Sequence, residues 1–202
     1  MATHQDEPDA QAACRRGSTR QAPAGHTQKK ARASRIDLFF LDECGFSPTQ
    51  PTGYSWSPRG QRRLVPYEAP MRRRVNALGA YRPVGELPTL RFRVYSRTLV
   101  SGDIITFLKT LPSGVRPCVV VLDNVGIHVS KEVQRARPLL NRLGLSLFFL
   151  PAYAPELNEV EAVFGVIKSY ELPERSYATL PELMTAVRRA FRRYRRRLNR
   201  RR

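Results

Sequence analysis

Three short runs constrain this chain most: IDLFFL from Ile36, CVVVL from Cys118 and LSLFFL from Leu145. Each is apolar at consecutive rather than alternate positions, and each has the length of a strand rather than a helix. A strand with that pattern is buried on both faces, so the sheet that holds it must be covered on both sides. The intervening segments can supply the cover. SGDIITFLKTL places Ile104, Ile105, Leu108 and Leu111 at helical spacing behind Ser101, a suitable N-cap. SKEVQRARPLLNRLG carries Val133, Ala136, Leu139, Leu140 and Leu143 along one side, with Pro138 expected to kink or split it. From Leu180 onward, Leu183, Met184, Val187, Phe191, Tyr194 and Leu198 form one stripe.

Upstream, RRRVNALGAY and TLRFRVYS read as two further strands joined through RPVGELP as a loose hairpin. Between them and the first strand, SPTQPTGYSWSPRGQRRLVPYEAP is broken by Pro and Gly into short pieces, with Trp56 read as a core residue. The order predicts an α/β architecture. Its mixed sheet has antiparallel first strands and parallel later strands reached through helical crossovers, with helices on both faces. A length of 202 residues suits one main domain. Residues 1–34, polar and poor in aromatics, read as a disordered basic leader. Residues 35–178 form the domain, and residues 179–202 an arginine-rich helix packed on it.

The formal net charge is +18, supplied mainly by arginine. Such an excess points to a polyanion partner, above all nucleic acid, whose phosphates the guanidinium fork matches. No apolar run approaches the roughly 20 residues of a membrane span, and the N-terminus lacks a secretory h-region. Cys14, Cys44 and Cys118 have no metal-ligand spacing, so a cytoplasmic, reduced protein is expected.

Against this cationic background the acids stand out. Asp42 and Asp123 each follow an apolar strand, the position where α/β sheets carry their sites. If the two strands are parallel neighbours, the carboxylates meet at one edge and repel unless a cation lies between them. Hard oxygen ligands suit magnesium or manganese. A single Asp there could equally begin a turn. A third acid is offered by PELNEVEAVF, in three copies. Glu161 lies three residues after Asn158, the spacing of a capping box. Glu159 sits at the helix start, where any carboxylate suits the dipole. Glu156 precedes the helix. Local physics does not choose among them.

LDECGF, VVVLDNVGIH and LPAYAPELNEVEAVFGVIK follow, in order, the three signature blocks of the DDE transposases of the mariner-like superfamily. The chain resembles the bacterial insertion-sequence branch of that superfamily, and YSWSPRGQ adds to the likeness. The resemblance spans Ile36 to Tyr170. It implies an RNase H-like fold and a catalytic, metal-binding triad of Asp42, Asp123 and Glu161, with two Mg2+ or Mn2+ ions. Glu159 stands where the family usually has proline. Asn124 and His128 match a supporting Asp-Asn…His block. The implied reaction is metal-dependent cleavage at transposon ends followed by strand transfer into target DNA, by a homodimer on DNA in the cytoplasm at the nucleoid. Helix geometry favours the same glutamate. Glu161 lies three residues before Phe164, whose burial would turn that face to the sheet, whereas Glu159 points roughly 160° away.

Further basic residues are DNA-binding candidates. Arg59, Arg62 and Arg63 surround the YSWSPRGQRR segment. Lys168 follows Glu161 by about two turns, and Arg192, Arg195 and Arg196 belong to RRAFRRYRRRLNRRR, ten arginines in fifteen residues. The first 34 residues are too short and polar for the helix-turn-helix domain of full-length relatives. A catalytic domain alone is therefore expected, with a catalytically silent DNA-binding remnant and a stand-alone nuclease as the competing readings.

Overall fold

The computed structural model describes residues 24–49, 57–61, 74–85, 88–151, 155–172 and 176–200. Five strands make one sheet: β1 (Asp37–Phe46), β2 (Val75–Arg82), β3 (Thr89–Tyr95), β4 (Cys118–Leu122) and β5 (Leu145–Phe149), in the order β3-β2-β1-β4-β5. β1 pairs antiparallel with β2, and β2 with β3, whereas β1–β4 and β4–β5 are parallel. Parallel neighbours cannot be joined by a tight turn. Helices α2 (Ser101–Leu108) and α3 (Lys131–Arg142) accordingly carry the chain into β4 and β5. The mixed sheet expected from the apolar runs is the one observed.

Alternate residues of each strand feed two cores. Leu38, Phe40, Cys44 and Phe46 of β1 join Val160 and Phe164 of α4 (Glu159–Val166) and Val187 and Phe191 of α5 (Leu180–Arg200). Phe39 and Leu41 face the other way, against Ile104, Phe107 and Leu108 of α2 and Leu140 of α3. Both faces of β1 are therefore buried, which is why its sequence does not alternate. On α5 the expected stripe is present: Leu183, Val187, Phe191 and Leu198 are buried, while Met184 and Tyr194 are partly so. Glu171 ends a π-helical turn, Ile167–Glu171, that follows α4. Its buried carboxylate lies 3.0 Å from Arg197 Nη1 and 3.5 Å from Arg193 Nε, tying that turn to α5.

Several local details differ from the sequence reading. β1 does not stop at Asp42 but runs on to Phe46, because the antiparallel ladder to β2 continues to Phe46↔Val75. What stops near Asp42 is the parallel ladder to β4, whose last pair is Phe40↔Val121. Val100, not Ser101, is the N-cap of α2; its backbone N–H is taken by Asp103 Oδ2 at 3.0 Å. α3 remains one helix through Pro138. The carbonyl that this proline leaves without its helical donor belongs to Gln134, an exposed residue that water can serve. Within the stretch read as leader, Ala24–Arg32 form helix α1, and Ala31 is buried in the α4/α5 core. The rest of that leader (residues 1–23, with Cys14) and half of the YSWSPRGQRR segment, including Trp56, Arg62 and Arg63, lie outside the described residues.

Candidate active site

The parallel register builds the centre of the site. Asp37 pairs with Cys118 and Phe40 with Val121, so two further residues along each strand bring Asp42 level with Asp123. Side chains alternate, and both aspartates share parity with Phe40 and Val121, the face covered by α4 and α5. Single oxygens of Asp42 and Asp123 and a ring nitrogen of His128 lie within 4.8 Å of one another.

His128 comes from the loop after β4 and is 0% exposed. Its Nδ1 stands 2.6 Å from Asp123 Oδ1, and its Nε2 lies 2.9 Å from Glu43 Oε2, a charge contact whose direction falls short of hydrogen-bond geometry. Burial disfavours the imidazolium, but Glu43 and Asp123 outweigh it and raise the His128 pKa. The loop is tied down at its start, where Asn124 Nδ2 donates to the Leu150 carbonyl at the end of β5. Asp42 accepts the Glu43 N–H at 2.7 Å. Burial is the main reason its pKa is pushed up to about 7, and the charges of Glu43 and Asp123 add to it.

The three glutamates of the helix start surround a different opening. Glu156, Glu159 and Glu161 line a cleft of ≈ 680 Å³ with Asn158, Tyr81 and Tyr194. Glu161 is exposed in the first turn of α4, and its N–H donates to the Asn158 carbonyl at 3.0 Å. Asn158 is the N-cap, yet its side chain makes no capping bond. It is 2% exposed, and its Nδ2 reaches the Leu41 carbonyl at 3.4 Å, next to Asp42. The acid–histidine group does not include Glu161. Burial raises the pKa of Glu159, which Arg32 partly offsets.

Residues 37–184 match the family model of the DDE superfamily endonucleases. The chain belongs to that family. No curated protein matches the sequence. Among solved structures, the DDE chain is similar to a Mos1 transposase paired-end complex with left transposon end, at TM-score 0.55 and 15% identity over 86% of this chain and 54% of that one. A pre-cleavage Mos1 transpososome gives TM-score 0.52 and 14% identity over 87% and 57%. A Mos1 mariner paired end complex with Mn gives 0.51 and 15% over 87% and 56%. The chain thus spans a little over half the length of these proteins. The shared fold is the RNase H-like mixed sheet that the resemblance implied.

The Asp42–Asp123 site fits a divalent cation on its own chemistry. Two carboxylates forced together at a sheet edge raise the cost of charging either one, and a cation relieves it. Both ring nitrogens of His128 already face carboxylates, so the imidazole holds Asp123 in place more readily than it ligates. Of the DNA-binding candidates, Arg59 is exposed in a turn, and the Lys168 ammonium is 5.7 Å from the centroid of the Phe46 ring. Arg192, Arg195 and Arg196 are exposed on α5. Sequence reasoning missed Glu43, since nothing local distinguishes it from a strand carboxylate facing solvent. It also missed Arg93 and Arg188, whose neighbourhood depends on how α5 lies on β3.

Among the described residues no helix is long and apolar enough to cross a membrane.

Proposed function

We propose that this chain is the catalytic domain of a DDE transposase of the bacterial insertion-sequence branch, cleaving DNA at transposon ends and transferring the strand to target DNA. The proximity of Asp42, Asp123 and His128, within 4.8 Å at one sheet edge, is the observation that carries the reading. Asp42 and Asp123 would hold divalent cations, two Mg2+ or Mn2+ ions, with Glu161 as the third carboxylate. Bound there, the metal supplies Lewis acidity for activating a water or 3′-hydroxyl and for stabilising the leaving oxygen. His128 and Asn124 keep Asp123 aimed, one by holding its Oδ1 and the other by anchoring the loop. In support of Glu161, Asn158 ties the first turn of α4 to the Leu41 carbonyl, one residue from Asp42. Arg59, Arg62, Arg63, Lys168, Arg192, Arg195 and Arg196 would contact the DNA backbone. The working form is a homodimer on DNA, at the nucleoid.

The test is Mn2+-dependent nicking of duplex DNA by the full chain, beside Asp42→Asn, Asp123→Asn and Glu161→Gln. Each variant is expected to lose about two orders of magnitude or more in rate. Nicking that persists in chelator, or in both aspartate variants, defeats the reading. Full activity of Glu161→Gln would remove that glutamate from the triad. A second reading, a DNA-binding remnant without catalysis, is favoured by the position of Glu161 outside the acid–histidine group. It forecasts salt-sensitive DNA binding with no nicking by the parent.

A further inference from the structure

Two sets of arginines stand out on α5. Arg193 and Arg197 are occupied by Glu171. Arg188, Arg192 and Arg195 recur at i, i+4 and i+7, so they share a face, and all three are exposed. With Arg93, Phe92 and Tyr95 of β3 they line a groove of ≈ 440 Å³. Among the described residues no carboxylate lines it. Its wall is partly aromatic, and the Arg195 guanidinium lies 5.5 Å from the centroid of the Phe92 ring. Three guanidinium groups of α5 along one groove repel one another, and an anion between them relieves that repulsion.

Three geometric facts identify the anion as a polymer running toward the acid site. β3 is an edge strand, so nothing in the sheet closes the groove on that side. Arg188 and Arg195 are separated by about 10 Å along the helix, the rise of about three nucleotides. The ladder also sets Asp42 opposite Gly79 and Gly79 opposite Phe92, a single row across three strands. Phe92 packs on the α4/α5 core, the face that Asp42 shares. Two strand spacings, about 10 Å, thus separate the start of the groove from Asp42, with Asp123 one strand farther. From this row we infer that the β3–α5 groove grips the phosphate backbone of duplex DNA a few nucleotides from the bond held at Asp42 and Asp123. The inference rests on the DNA-cleaving reading above and gives it a direction: the duplex runs from the acid site toward the β3 edge of the sheet.

The test compares two triple variants of the full chain that lose the same charge. One is Arg188→Gln with Arg192→Gln and Arg195→Gln. The other is Lys131→Gln with Arg135→Gln and Arg142→Gln, on α3 across the sheet. Binding of a labelled duplex of arbitrary sequence is followed by anisotropy between about 50 and 200 mM salt. Removing the groove arginines should flatten the slope of log K against log salt by about 2–3 and weaken binding at low salt by about tenfold or more. The α3 triple should change the slope by less than about 1. Equal losses in the two triples, or an unchanged slope in the first, overturn the groove. Should the groove triple fail to fold, Arg192→Gln alone is expected to change the slope by about 0.9, and no change overturns the groove. A parent that shows the groove-dependent slope but never nicks DNA with Mn2+ defeats the catalytic reading and leaves the groove standing. A parent that nicks while the groove variants bind as it does defeats the groove alone.

Discussion

Asp42 carries a cost that its position in the sheet explains. Its carboxyl is half-buried beside Glu43 and Asp123, and its pKa is pushed up to about 7 from 3.8. A carboxyl with a raised folded pKa contributes stability that is full below the unfolded value and is lost as pH rises through the folded one. In chelator, Asp42→Asn should therefore be more stable than the parent at pH 8, by on the order of 2 kcal/mol after allowing for partial solvation. The gain should shrink toward zero near pH 4. Urea unfolding at several pH values checks this, and an advantage that does not grow with pH would contradict it. Glu43 makes the second forecast at this scale. It faces His128 Nε2 at 2.9 Å, on the far side of the ring from Asp123. Glu43→Ala should weaken Mn2+ binding by about 10-fold or more, the usual effect of losing a group that orients a ligand. Glu43→Gln, which keeps a carbonyl toward the ring, should restore part of it. Calorimetric titration with Mn2+ is the measurement, and equal affinity in all three proteins would leave Glu43 a bystander.

At the level of elements, α4 is set on the sheet by a missing side chain. Gly79 of β2 lies directly opposite Asp42, and a Cβ there would come within 2.7 Å of the Phe164 ring. Phe164 packs beside Phe191, their ring centroids 6.1 Å apart, so the ring has little room to retreat. Gly79→Ala should destabilise the fold by about 1–3 kcal/mol, the ordinary cost of overpacking. It should also displace the helix that carries Glu161, so nicking measured well below the melting transition should fall as well. Wild-type stability with wild-type nicking would mean that α4 adjusts without consequence. The same elements show where local signals were readable. Ser130 caps α3 through the Val133 N–H, whereas Ser101, the N-cap expected for α2, gives way to Val100. Asn158 had the same local credentials, yet its amide turned to the Leu41 carbonyl, because a buried strand carbonyl next to it needed a donor.

Over the whole molecule, charge is segregated rather than spread. Among the described residues, cations cluster on α5, α1, α3 and the β3 edge. The acids gather at the ends of β1 and β4 and at the start of α4. A chain so arranged attracts a polyanion over most of its surface and holds cations at one edge. The sequence by itself determined the frame: consecutive apolar residues can be satisfied only by strands covered on both faces. Three such runs separated by amphipathic helices leave few topologies. It also determined which blocks carry the acids, through their order and their match to a family. Only the tertiary structure decided which groups meet. The β1–β4 register set Asp42 beside Asp123, and the seating of His128 joined Glu43 to that pair from across the ring. The packing of α5 on an edge strand made a groove from arginines far apart in the chain. Contacts of this kind depend on strand register and on packing between distant segments. The propensities of neighbouring residues carry no information about either.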